Sequence, residues 1–214
     1  YSQIKGKKFA SLALAIPQDD VFTQNSFSNR EILWPADKVF MPAHYPETDQ
    51  AKLTRFAICN EKRESCIDFA QGEQAYFYCE FQLKQNIGVP IIRMMISNPF
   101  NVLVHAKNSL HHEMNLPEKV NQGDYIRFCR KITLNLAPDE YVFGLALKTM
   151  EAKDYVRLDK TDPEDFSREK IQLWRYDQMA SFKITPRGGK GVKKLHGGIC
   201  DLPGDCYIQL ISNT

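Results

Sequence analysis

The chain has 214 residues, enough for one large domain with a core of its own and no need of a disulfide staple. Its 28 basic and 26 acidic residues leave a formal net charge of +2 and interleave along the chain, so no basic stripe of the kind that grips a phosphate backbone is visible, which argues against nucleic acid. No apolar run approaches the roughly 18 residues that would span a bilayer.

Residues 1–51 read as an extended arm or linker. Lys5, Lys7 and Lys8 ahead of a small apolar run resemble the start of a signal peptide, but Phe9, Leu12, Ala13 and Ile16 fall at helical spacing, which favours a short docking helix or linker ended by Pro17. A chain that starts at Tyr1 rather than Met is read as a piece of a longer polypeptide. Pro17, Pro35, Pro42 and Pro46 punctuate the arm, and its aromatics Phe22, Phe27, Trp34, Phe40 and Tyr45 predict that it lies against the body or a second subunit.

From residue 52 to residue 214 the pattern changes to short strands of period two. In 74–84, Ala75, Phe77, Cys79, Phe81 and Leu83 alternate with Tyr76, Tyr78, Glu80, Gln82 and Lys84, one apolar face and one polar face with two tyrosines. Strands follow at 91–97 and 101–107, joined by the turn residues Asn98, Pro99 and Phe100. Two more, 124–135 and 140–149, are expected to form a hairpin through Ala137, Pro138, Asp139 and Glu140. A helical turn is expected at Pro163 with Asp162 as its cap, and 171–184 and 205–211 complete the strands. Roughly nine short strands without helices between them predict an all-β fold, an antiparallel β-sandwich.

The motifs of catalysis are missing. Arg187 to Lys194 is glycine-rich but lacks phosphate-loop spacing and reads as a basic hairpin loop; His111, His112 and Glu113 read as a solvated loop rather than metal ligands. The cysteines Cys59, Cys66, Cys79, Cys129, Cys200 and Cys206 contain no Cys-x-x-Cys pair, which argues against zinc. Cys79 and Cys129 are expected to be reduced and inward-facing. Neither a GxSxG nor an HExxH motif occurs, and the carboxylate pairs Asp19/Asp20 and Asp162/Asp165 fall in turns and caps. The expectation is a binding protein with no cofactor, no metal and no enzymatic activity.

Several segments carry a family resemblance. They are Phe69-Ala70-Gln71-Gly72-Glu73 leading into the first long strand, Val89-Pro90 opening the next, and Met94 to Asn98 closing it at a turn. Gly123 before a strand, Leu136 to Tyr141, Phe182-Lys183-Ile184 and Gly197-Gly198 continue the series, with Asp139 where the family commonly has glycine. In this order, residues 52–204 resemble the C-terminal carbohydrate-binding domain of the ATPase subunit of ABC exporters for lipopolysaccharide O-antigen, the Wzt type. The resemblance implies a β-sandwich of jelly-roll or immunoglobulin-like type and a homodimer through exchange of C-terminal strands, tethered to an ATPase domain and a membrane subunit. It further implies a cytoplasmic place at the inner membrane and recognition of the non-reducing end of the glycan.

Sugar recognition uses aromatic faces for the C–H side of a pyranose and planar hydrogen-bonding groups for its hydroxyls. Tyr76 and Tyr78 on one strand, Arg93, Met95 and Ser97 on the next, His105 with Lys107, and Trp174 with Tyr176 are therefore expected to gather into one carbohydrate-binding surface. The competing readings are that the aromatics lie under the arm or in a dimer interface, making this a structural dimerisation domain, or that the chain is an accessory or catalytic domain of a polysaccharide-modifying enzyme.

Overall fold

The computed structural model describes residues 45–112, 116–157, 170–188, 196 and 198–200. The N-terminal helix, the turn at Pro163, most of the glycine-rich loop, Glu113, Cys206 and the strand at 205–211 lie outside the described residues. The described residues form eight strands: β1 (Ala51–Cys59), β2 (Asp68–Ala70), β3 (Gln74–Leu83), β4 (Val89–Ser97), β5 (Leu103–Asn108), β6 (Tyr125–Thr133), β7 (Asp139–Met150) and β8 (Ile171–Thr185). A single 3-10 turn, Ser109–His112, and one helical turn, α1 (Ala152–Tyr155), accompany them.

The strands make two sheets, β1-β3-β6 and β2-β8-β7-β4-β5, packed face to face. All pairings are antiparallel except the short β2 beside the end of β8. This is the antiparallel sandwich expected from the period-two pattern, with β1 and β2 as elements that the listing of strands by alternation alone did not resolve. One connection differs from expectation. Because β6 and β7 belong to different sheets, Leu134 to Pro138 is a crossover between layers and not a hairpin. Tyr141 anchors that crossover by donating its hydroxyl to the Ala137 carbonyl at 2.9 Å, the arrangement of a tyrosine corner.

Inward parity builds an aromatic seam. Phe143 of β7 stacks on Phe56 of β1 and Phe77 of β3 at 5.2 and 4.9 Å between centroids, and Phe182 of β8 meets Phe77 edge-on at 5.9 Å. Two motifs quoted above are turn chemistry. In the β2–β3 turn Gly72 has φ of 83° and Glu73 accepts from the Ala70 amide, and before β6 Gly123 has φ of 88°. The β4–β5 hairpin is closed by Asn98, whose side-chain oxygen accepts from the amides of Phe100 and Val102.

The end of the arm nearest the body is strapped to β8. Trp174 donates its indole N–H to the Pro46 carbonyl, Thr48 donates its hydroxyl to the Leu173 carbonyl at 3.0 Å, and Tyr45 meets the rings of Trp174 and Tyr176 edge-on. Trp174 also packs edge-on against Phe81 at 5.2 Å and is 1% exposed. Trp174→Ala is expected to cost about 3–5 kcal/mol, the range for deleting a large buried aromatic side chain, read as a lower urea midpoint at unchanged slope.

Candidate functional site

The nine residues expected to form one surface are divided by the fold among three places. Tyr76 and Tyr78 lie on the outer face of the three-stranded sheet, on the far side of the molecule from β4 and β8. Their rings stack at 6.4 Å, the Arg63 guanidinium sits 5.5 Å from the Tyr76 ring centre, and Arg63 Nη1 donates to the Tyr78 hydroxyl at 3.0 Å. Tyr78 is wholly buried in a small cluster with Ala57 and Cys59, and Cys129 packs against it. Cys129 therefore faces outward, opposite to the inward position expected for it, because β6 pairs it with Tyr78 and not with Cys79. Burial raises the pKa of Tyr78 and pushes the Cys59 thiol up to about 11. Cys59, Cys66, Cys79, Cys129 and Cys200 are free thiols.

Trp174 and His105 are not outward-facing. Trp174 pairs with Leu147 across β7 and is locked in the core. His105 pairs with Ile96, an inward residue of β4, and points between the sheets at their open side. There Arg130 Nη2 lies 2.8 Å from His105 Nε2. A guanidinium can only donate, so Nε2 is the acceptor and unprotonated. Arg130 is 8% exposed, and its Nε and Nη1 are buried without a partner. Lys107 shares the inward parity of His105, opposite Met94.

Arg93, Met95 and Ser97 do stand together, on the outer face of the five-stranded sheet. There β7 contributes Gly144, Ala146 and Lys148, and β8 contributes Gln172 and Arg175. The rows run across the strands in register: Arg93, Ala146 and Arg175 form one, and Ile91, Lys148 and Gln172 the next. Met95 is largely covered, at 7% exposure, and its methyl approaches Gly144, where a Cβ would come within 2.9 Å of the Asp177 carbonyl oxygen and 3.2 Å of Met95 Cε. Glycine thus lets an irregular stretch of β8 sit close over the sheet; the β7–β8 register slips there, between Phe143 and Leu145, and again between Leu147 and Lys148. Beside that stretch is an open depression of about 460 Å³ lined by Gln172, Arg175, Tyr176, Asp177 and Gln178. Tyr176 pairs with Leu145, an inward residue of β7, so its half-buried ring turns toward the core beside Tyr45 and not onto the face that carries Arg175.

Positive charge dominates this face. Burial, then the charges of Arg93 and Arg175, hold the Lys148 ammonium below its usual pKa. Burial, then Lys148 and Arg93, bring Lys170 down to about 8. Arg175 is bonded to Asp177 through Nε at 2.7 Å. The charges interleaved in sequence are therefore segregated in space, a basic surface that linear reading did not find. Among the described residues no group of three or more His, Cys, Asp and Glu side chains is placed to hold a metal, and no helix is long and apolar enough to cross a membrane.

Two sheets facing each other across a packed core define the chain as a β-sandwich. Residues 44–202 match the family model of the Wzt C-terminal domain, and the chain belongs to that family. These are non-catalytic C-terminal domains of ABC transporter subunits, with a carbohydrate-binding role in export. The crystal structure of the C-terminal domain of Wzt has the same fold, with a TM-score of 0.56 at 16% identity over 79% of this chain and 95% of that one. Two weaker structural similarities have TM-scores too low to compare further. One is a CARDB domain from Pyrococcus furiosus (0.33; 10% identity; 66% of this chain and 97% of that one), and the other a Niemann-Pick type C2 protein from the Japanese carpenter ant (0.36; 11%; 69% and 100%). No curated protein matches the sequence.

The histidines at the open side of the sandwich make stability depend on pH. Burial first, then the charges of Lys107 and Arg130 and the neighbouring His111 and His105, lower His112 to about 4; His105 and His111 are lowered for the same kind of reason. In the unfolded chain an imidazole titrates near 6.5. The unfolded state therefore takes up protons first, so this stability is complete above about pH 6.5 and is lost as pH falls toward 4. Thermal unfolding is expected to move to lower temperature between pH 7 and pH 4.5, and His112→Gln to flatten that slope; an unaltered slope would assign it to other groups.

Proposed function

We propose that the outer face of the five-stranded sheet recognises the terminal residues of an O-antigen polysaccharide and so gives an ABC exporter its substrate specificity. The observation that carries this reading is the composition of that face. Small residues, Gly144 and Ala146, run along the central strand and are flanked by the forked donors of Arg93 and Arg175, the Lys148 ammonium, the Ser97 hydroxyl and the Gln172 amide. Planar donors and amides match sugar hydroxyls.

Of the residues singled out from sequence, Arg93, Met95 and Ser97 stay in the proposed site. Tyr76, Tyr78, His105, Lys107, Trp174 and Tyr176 are left out because they lie on the other sheet or on the inward side of their strands. Binding at the non-reducing end, a homodimer formed by exchange of C-terminal strands, and attachment to the ATPase domain and membrane subunit at the cytoplasmic side of the inner membrane complete the proposal. They rest on the family. Affinity in the micromolar to millimolar range, about −8 to −4 kcal/mol, is what an open surface of this kind supports, with a dimer adding avidity.

The test is an NMR titration of the domain with purified O-antigen from its source. Shifts are expected at Arg93, Ser97, Lys148 and Arg175, with Arg93→Ala weakening binding about tenfold or more, equivalent to about 1.4 kcal/mol, and Tyr76→Ala leaving it unchanged. A flat response to both native and end-modified polymer ends the reading.

A further inference from the structure

The two sheets carry the same cross-strand row with one difference. On the three-stranded sheet, β1, β3 and β6 align Arg55, Glu80 and Arg127. The Glu80 carboxylate lies 3.6 Å from Arg55 Nε and 2.7 Å from Arg127 Nε, and accepts from the Thr54 hydroxyl at 2.8 Å. Burial alone would raise its pKa, but the bonds from Arg127 and Thr54 and the two guanidinium charges prevail and lower it. On the five-stranded sheet, β4, β7 and β8 align Arg93, Ala146 and Arg175. The flanking arginines are again two strand spacings apart, about 10 Å. The position that would hold the carboxylate holds a methyl group.

That row is short of negative charge. Arg175 has Asp177, whereas Arg93 and Lys148 make no hydrogen bond or ion pair with any carboxylate among the described residues. Like charges gathered on a partly buried face repel one another, and each lowers the free energy of an anion placed among them. The excess also continues around the β5 edge to Lys107 and to Arg130, whose Nε and Nη1 are buried and unpartnered. With a net charge of only +2 for the chain, such a concentration is local.

Resting on the polysaccharide reading above, we propose that the glycan is acidic, and that a carboxylate or phosphate group it carries seats over Ala146 between Arg93, Lys148 and Arg175, in the role that Glu80 plays on the opposite sheet. The guanidinium forks supply charge-assisted, planar recognition of either oxyanion. Neutral stretches of the same polymer gain only the hydroxyl contacts.

The experiment uses the source's own polysaccharide in three forms: untreated, with its carboxylates reduced to alcohols through carbodiimide activation, and with its phosphates removed by hydrofluoric acid. Binding is measured by calorimetry at low and high salt. The expected result is a loss of tenfold or more in one treated form, which names the oxyanion, together with weaker binding of the untreated polymer at high salt. Full binding of both treated forms overturns the acidic ligand, while the polysaccharide reading survives if Arg93→Ala still weakens binding. No binding of the untreated polymer overturns both. Ala146→Glu provides a built-in carboxylate and is expected to reduce binding at least tenfold more than the neutral Ala146→Gln; equal losses would show crowding alone and overturn the proposal. Should Ala146→Glu fail to fold, Arg93→Gln carries the test: an unchanged salt dependence in that variant overturns the proposal. Competition by oligo-dT as strong as that of the polymer itself would also overturn it, in favour of unspecific polyanion binding.

Discussion

The interlock of Phe143 and Phe182 with Phe56 and Phe77 is the constraint on which the outer surfaces depend. Successive side chains of a strand alternate between faces, so fixing these rings inward fixes Arg93, Lys148 and Arg175 outward. A one-residue slip of β7 would carry Phe143 to solvent and Lys148 into the core. The chemistry of the face is thus protected by hydrophobic packing on its other side, where burial of large aromatic rings makes alternative registers costly.

Legibility from sequence followed the clarity of alternation. The strand at residues 74–83 was readable because its two faces differ sharply in polarity. In β4 the run from Val89 to Ile96 is buried on both faces except at Arg93, so parity had to be inferred from a single charge. In β8 the register slips twice against β7, and alternation counted along the chain no longer reports which way a residue points. Trp174 illustrates the consequence. A large ring with one donor satisfies that donor with the Pro46 carbonyl and buries everything else, which residue type alone cannot distinguish from a sugar platform. Strand order is a second thing that local patterns do not contain. The strands bearing Tyr76 and Arg93 are neighbours in the chain, yet they belong to opposite sheets.

Charge was the least legible property. Arg93, Lys148 and Arg175 are far apart in the chain, and counting acids against bases along it hides their meeting on one face. The contrast between Glu80 and Ala146 emerges only when two rows of three strands are laid side by side. One row sets a carboxylate between its two cations, hydrogen-bonded to Arg127 and 3.6 Å from Arg55 Nε. The other leaves its cations to face outward.

The strap from Tyr45 to Thr48 has a mechanical consequence. It fastens the chain entering β1 to Trp174 and the Leu173 carbonyl, so a pull from the residues before it bears first on β8 and only then on β1. The same strand presents Arg175 on its way across the sheet. The anchor of the entering chain and the outward Arg175 therefore share a single length of backbone.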